Sequence, residues 1–334
     1  MRRFITRSLD AALLLWLVTT LTFALIHLAP GDAATLLVSP TASVDDVARQ
    51  RALFGLDASW LTQYVRWMLA LLQGDLGRSF ASARPVRAVI AEALPVSLFL
   101  GITSLALSFV FGTLLGGWQA LRARPKSDTI LTIVSTVAFA APSFWLALAL
   151  VVVATSGASA LGAPMWMRLP AFGMESPAGI ARGLDWWRDA ARHALLPLLV
   201  LSVPGAAGVA RFARQSLRDA SVAPHVAAAA ARGVPRARIE ARYVLRLALT
   251  PLIVLGGLML PGVIAGSVFV EQVFAWPGLG RTMLVAIASR DYPVVLGLTL
   301  LYAAAVIGAN MLADIALTYA DPRQRLAMRT GDTS

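Results

Sequence analysis

Six stretches of this chain contain no Asp, Glu, Lys or Arg: 11–31, 93–121, 129–167, 193–210, 247–270 and 292–313. A helix needs roughly 20 apolar residues to cross the hydrocarbon core of a bilayer, so each stretch is read as one span. The run 129–167 is long enough for two, but Thr155-Ser156-Gly157-Ala158-Ser159 and Gly162-Ala163-Pro164 interrupt it, which predicts one helix near 130–154 followed by a loop. The run 193–210 carries Pro197 and Pro204 and predicts a kinked span extending past Arg211; the fifth span is expected at about 249–270. Composition agrees: 58% of residues are hydrophobic and 14% charged, against about 25% charged in soluble domains. The expected fold is therefore an all-α integral membrane protein. It has six transmembrane helices, a long segment between the first two, and a polar loop between the fourth and fifth.

Arg2-Arg3-Phe4 followed by an apolar run has the look of a signal peptide. The run is too long for an h-region, and His27, Pro30 and Asp32 spoil the cleavage site, so an uncleaved first span is expected. Orientation follows from basic residues. With the N-terminus inside, the segments 1–10, 119–128, 211–248 and 321–334 hold 17 of the 29 Arg and Lys residues, and the opposite segments hold 12. The formal charge of +11 is then a topology signal. A nucleic-acid partner is not expected, because no soluble domain is available to hold one.

Several chemistries are excluded. With no cysteine, disulfides, thiolate metal sites and cysteine nucleophiles cannot occur. Lys126 is the only lysine and follows Pro125, so no P-loop is possible and any ATPase driving transport is another polypeptide. His27, His193 and His225 share no ligand spacing, and neither H-E-x-x-H nor G-x-S-x-G occurs. No catalytic residues, metal or cofactor are therefore expected on this chain. Asp314 is the one acid placed within a span, one turn after Asn310; the pair reads either as an interhelical contact or as a pore or gate residue.

Between the spans, Leu61, Tyr64, Val65, Met68, Leu69 and Leu72 recur at helical spacing and predict an amphipathic helix near 58–73, with Trp60 and Trp67 suited to an interface. Its role is either to cover the spans or to dock a partner. Trp166, Trp186 and Trp187 lie in the loop after the third span, and Gly256, Gly257, Gly262 and Gly266 in the fifth span allow close packing. The stretch 222–251 is a polar, arginine-rich island. A small-residue helix near 222–232 should stop at Gly233, and Pro235 should open the next, bearing Arg236, Arg238, Arg242 and Arg246. Such an island serves either to dock a protein or to meet anionic lipid.

The island resembles the cytoplasmic "EAA" loop of ABC importer permeases of the dipeptide/oligopeptide/nickel class. It offers a small-residue run Ala228–Ala231, then Arg232-Gly233, then Leu245-Arg246-Leu247-Ala248-Leu249-Thr250-Pro251. Further motifs along the chain are similar to that family: Leu28-Ala29-Pro30-Gly31-Asp32, Phe54-Gly55-Leu56-Asp57, Gly74-Asp75-Leu76-Gly77-Arg78-Ser79, Pro142-Ser143-Phe144-Trp145, Glu271 to Gly280, Arg290-Asp291-Tyr292-Pro293 and Asp321-Pro322-Arg323. One departure is Ala228, where many relatives carry Glu or Thr. The resemblance implies an inner-membrane permease subunit, termini cytoplasmic, importing peptides or similar small solutes such as nickel chelates or glutathione. It implies a second homologous permease, two ATP-binding subunits that carry ATP and Mg, and an external substrate-binding protein. Residues Ala228, Ala229, Ala230, Ala231, Arg232, Gly233 and Val234 would form the ATPase coupling loop. Glu271, Phe274, Trp276, Pro277, Gly278, Asp291 and Tyr292 would form an outer gate or a binding-protein contact. The expected organisation is a first span at 1–31, an outer segment at 32–94, a five-helix core at 95–321 with its loop at 211–248, and a cytoplasmic tail at 322–334. A pore-forming channel would need a selectivity ring, and none is evident; an intramembrane enzyme lacks a catalytic constellation.

Overall fold

The computed structural model describes residues 2–28, 34, 43–122, 124–162, 164, 168–176, 183–265 and 267–320. Leu28-Ala29-Pro30-Gly31-Asp32 beyond Leu28, Trp166, Gly266, Asp321-Pro322-Arg323 and the tail 322–334 lie outside them. The described residues contain no strand. Their principal helices are α1 (Arg2–Leu28), α2 (Val44–Leu53), α3 (Trp60–Leu72), α4 (Val86–Leu121), α5 (Pro125–Ala140), α6 (Ser143–Val152), α7 (Leu184–Ser221), α8 (Pro224–Ala231), α9 (Arg236–Ile239), α10 (Leu245–Met259), α11 (Gly262–Ala265), α12 (Val268–Val273), α13 (Leu279–Ala288) and α14 (Tyr292–Ala320). Among the described residues six helical stretches are long and apolar enough to cross a membrane: Leu9–Leu28, Val86–Leu121, Ser143–Ala160, Leu184–Ser221, Arg236–Met259 and Tyr292–Ile315.

Each charge-free run thus holds one crossing, but two boundaries move. The single helix expected near 130–154 is two. Helix α5 stops at Ala140, Ala141 is extended (φ −67°, ψ 126°), and α6 opens after Pro142. A residue before proline is pushed out of the helical region, and proline itself has no N–H to continue the ladder. The expected loop at Thr155 is instead a π-helical turn, Val153–Gly157, that carries the helix on to Ala160. The fifth span, expected at 249–270, runs from Arg236 through a π turn at Glu240–Val244 to Met259 and ends before Pro261. The arginines of the island therefore ride on the crossing helix itself. By contrast Pro197 and Pro204 lie inside α7, which is continuous for 38 residues and passes Arg211 as expected. The helix predicted near 58–73 is α3, opened by Ser59, whose Oγ accepts the Thr62 N–H.

The chain forms two compact units, one of 1–97 with 277–307 and one of 98–276 with 308–334. In the first, Val86, Ile90 and Ala93 of α4 are buried along with Val294, Leu296 and Leu298 of α14. Gly297 brings the helices together: a Cβ there would sit 2.7 Å from Val86 Cγ1. The Ser97 hydroxyl accepts the Leu279 N–H at 2.8 Å, satisfying one of the unpaired donors that open α13.

In the second unit, α4 lies against α7 along Ser108, Gly112 and Gly116, spaced four apart. Ser108 Oγ donates to Ser104 O at 2.7 Å or Ser202 O at 3.2 Å, which keeps a polar group satisfied between helices. Helix α5 also packs on α7. The Arg211 guanidinium lies 4.1 Å from the centre of the Phe139 ring, a cation–π contact.

Candidate functional site

The island folds from local rules. Helix α7 ends at Ser221, and Pro224 occupies the first turn of α8, where its missing N–H costs nothing. Arg232 caps α8. Gly233 then takes φ +75°, its N–H donating to Ala230 O at 2.9 Å while the Val234 N–H donates to Ala229 O at 3.2 Å. These paired bonds form the left-handed helix stop for which glycine is the favoured residue. Pro235 caps α9 directly afterwards.

Helix α8 has two faces. Val226 and Ala229, one turn apart, are buried in a cluster with Leu217 and Ala220 of α7, Ile239 of α9, Val244, and Ala248 of α10. Ala229 is fully buried, so it is an anchor with no surface of its own. Ala227, Ala228, Ala230, Ala231 and Arg232 are exposed, giving a flat face of methyl groups edged by a guanidinium. Arg236, Arg238, Arg242 and Arg246 are also exposed; Arg236 Nε donates to Glu240 Oε1 at 2.8 Å. The Ser216 hydroxyl donates to Ala248 O at 3.1 Å, a further tie between α7 and α10 beside the cluster. A load placed on the exposed face of α8 would reach both long helices through these contacts.

A second cluster lies nearby on α7. Arg214 donates to both oxygens of Asp128, at 2.8 and 2.6 Å, and Arg218 adds a bond at 2.9 Å. The Arg214 hydrogen bond holds the Asp128 carboxyl below the usual carboxylate range, with burial opposing and Arg218 assisting. This clamp ties the start of α5 to the end of α7. Sequence reasoning missed it. The available signal was that Asp128 is the only acid in 119–128, with arginines four apart on a later helix.

The stretch Glu271 to Gly280 is divided between the two units. In the second, Glu271, Phe274 and Trp276 are buried. The Ser267 hydroxyl donates to Glu271 Oε1 at 2.5 Å, the Gly173 N–H to Phe274 O at 2.8 Å, and the Trp276 ring stacks on Phe99 at 6.2 Å. Ala275 stands at φ +57°, in the same kind of helix stop as Gly233 but without glycine. In the first unit Pro277 is exposed and Gly278 buried.

Asp291 is also buried and organises a turn far away in sequence. It accepts from the Ser79 hydroxyl at 2.5 Å, the Phe80 N–H at 3.0 Å and the Ala81 N–H at 3.3 Å. Tyr292 lies beside the Phe80 and His27 rings. Asp291→Ala would strand these donors, each worth about 1–3 kcal/mol when buried without a partner. The expected loss is about 2–4 kcal/mol, read as faster proteolytic cleavage within 74–85; Asp291→Asn, which keeps one acceptor oxygen, should fall between. Asn310 and Asp314 are both exposed on α14 of the single chain.

Comparison with known proteins fits this arrangement. Residues 109–326 match the family described as binding-protein-dependent transport system inner membrane component, and residues 1–101 match its N-terminal membrane component. The oligopeptide transport system permease protein AppB of Bacillus subtilis is 34% identical over 320 residues, covering 96% of this chain and 98% of the relative. A putative peptide transport system permease of Brucella abortus is 33% identical over 323 residues, 96% and 97% of the two chains. The glutathione transport system permease protein GsiC of Salmonella paratyphi A is 32% identical over 311 residues, 93% and 94% of the two. Family matches along nearly the whole length, on a chain with six helices able to span a membrane, leave one reading: the chain belongs to the binding-protein-dependent transport system inner membrane components, the permease subunits of ABC importers.

Proposed function

We propose that this permease imports peptides, coupling their passage to ATP hydrolysis on separate subunits through the exposed face of α8. The observation that carries the coupling role is the two-sided construction of α8. Val226 and Ala229 fix it to α7, α9 and α10, while Ala227, Ala228, Ala230 and Ala231 present a face without bulk that can seat closely in a groove. Closure of an ATP-bound partner against that face would move α8 and, through the shared cluster, the two long helices on either side of it. The missing P-loop supports placing ATP and Mg on partner chains.

The assembly we infer pairs this chain with a second homologous permease above two ATP-binding subunits, with a substrate-binding protein delivering cargo from outside. The excess of basic residues in 1–10, 119–128, 211–248 and 321–334 supports cytoplasmic termini and a cytoplasmic α8. For the outer gate or binding-protein contact, the second unit would contribute buried Glu271, Phe274 and Trp276 as supports, and the first unit would contribute Asp291 as the support of its own turn, with Pro277 and Tyr292 offering surface. Asn310 and Asp314 would face the partner permease or the pore. Peptides are the first choice of cargo because the oligopeptide and peptide permeases named above align over the full length; glutathione, itself a tripeptide, falls in the same chemical class.

The test is ATP hydrolysis by the assembled transporter in vesicles. Addition of the substrate-binding protein loaded with a di- or oligopeptide should stimulate hydrolysis several-fold over the unloaded protein. Equal rates with loaded and unloaded protein across peptides of two to six residues would overturn the peptide assignment.

A further inference from the structure

Helix α3 carries three distinct faces, and among the described residues one of them packs against α1. The first meets α1. Tyr64 Oη and Thr20 Oγ1 are 2.8 Å apart, Gln63 Oε1 is 3.0 Å from His27 Nε2, and the Trp67 and Phe23 rings stack at 5.9 Å. The second face, Leu61, Val65, Leu69 and Leu72, follows the i, i+4, i+8 and i+11 spacing of one helix side and is exposed, Leu61 at 73% and Leu72 at 78%. The third holds Arg66 and Gln73, seven apart and exposed.

The partners of the first face fix where α3 sits. Thr20, Phe23 and His27 belong to the crossing stretch Leu9–Leu28. Phe23 lies five residues from Leu28, the last described residue of that stretch, about 8 Å at the helical rise of 1.5 Å per residue, and Thr20 about 12 Å. A helix crossing α1 at Phe23 therefore lies at the depth where acyl chains begin and does not ride above the membrane. Leu21, Leu25 and Leu28, apolar residues of the crossing helix α1 near the same end, are exposed as well. The polar face, adjacent to the apolar stripe, is positioned for headgroups. Amphipathic helices lying in the interface bury their apolar side about 5–10 Å into the headgroup–acyl boundary.

We propose that α3 is an in-plane interfacial helix of the leaflet at the Leu28 end of α1, with Leu61, Val65, Leu69 and Leu72 inserted among acyl chains and Arg66 at the phosphate level. It is a foot that rests on the membrane and is bolted to α1 by Tyr64, Gln63 and Trp67. This rests on the membrane placement of α1 and not on the identity of the cargo.

The chain has no cysteine, so single labels can be placed without removing native ones. Nitroxides attached at Leu61→Cys, Val65→Cys, Leu69→Cys and Arg66→Cys are read in the assembled transporter in phosphatidylethanolamine–phosphatidylglycerol vesicles. Relaxation by oxygen, which partitions into acyl chains, is compared with relaxation by a water-soluble nickel chelate. The ratio of oxygen to nickel effects should be at least threefold higher at Leu61, Val65 and Leu69 than at Arg66. Equal nickel accessibility at all four sites would place the helix in water and overturn the proposal. Protection of the stripe from both reagents would overturn it too, by showing a protein partner there instead of lipid.

Discussion

Gly233→Pro is expected to abolish ligand-stimulated ATP hydrolysis and uptake while the chain still inserts and its long helices remain. Gly233 sits at φ +75°, and proline is held near −65°. The substitution also removes the N–H that donates to Ala230 O. Loss of both should cost about 3 kcal/mol or more at the end of α8. That is enough to unwind its last turn and swing Ala230, Ala231 and Arg232 away from their present places. Gly233→Ala separates backbone from bulk. Nothing lies within 4 Å of a Cβ at this position, so its cost is the left-handed backbone alone, about 1–2 kcal/mol. Coupled uptake should fall partially in the alanine variant and completely in the proline variant. Full coupled uptake by the proline variant would show that the shape of α8 is irrelevant to transport.

The second large effect is expected at Gly116. A Cβ there would run into Ala210 O on α7 and lie 2.9 Å from Ala213 Cβ and 3.0 Å from Arg214 N. One turn earlier, a Cβ on Gly112 would stand 2.6 Å from Val209 Cβ and 2.7 Å from Ala206 O. Most of these obstacles are backbone or first side-chain atoms, so no rotamer change relieves them. Overpacking commonly costs 1–3 kcal/mol, and here Gly116→Leu should reach about 3 kcal/mol, because the only relief is separation of α4 from α7. At roughly 2–4 °C per kcal/mol for a chain of this size class, the detergent-solubilised midpoint should drop by about 6–12 °C. Gly117→Ala is the control. Its Cβ would find Leu217 Cδ1 at an ordinary 3.7 Å, and its midpoint should barely move. Similar losses at 116 and 117 would contradict the close packing of α4 on α7.

The spans were legible because charge is excluded from the bilayer core, so each gap between charges marks a crossing. Hydropathy could not see that 129–167 holds two helices, since Ala140 and Ser143 belong to one apolar run and only Pro142 divides them. Nor could it see that the helix expected after Pro235, bearing Arg236 to Arg246, is continuous with the fifth crossing, because its charges placed the start of that span near 249. At the loop itself, Gly233 and Pro235 were readable in advance, since a positive φ and a missing N–H are properties of single residues. The difference between Ala228 and Ala229 was not. It depends on which side of α8 meets Leu217 and Ala248, and four consecutive alanines carry no pattern of their own. The Asp128–Arg214–Arg218 clamp and the Asp291 turn were hidden for another reason. Their partners are 86 to 90 and 210 to 212 residues apart, distances that a single sequence does not connect. Glu271 and Trp276 stood out as motif residues, but their burial did not, because it depends on packing that a single sequence does not show.

The most direct test of the coupling role is photo-cross-linking from the exposed face of α8. With p-benzoylphenylalanine in place of Ala228, irradiation of the purified, assembled transporter should produce an adduct between this chain and an ATP-binding subunit, and the same residue in place of Ser82 should not. An Ala228 adduct found only with lipid or solvent, in a complex that still contains its ATPases, would contradict the account.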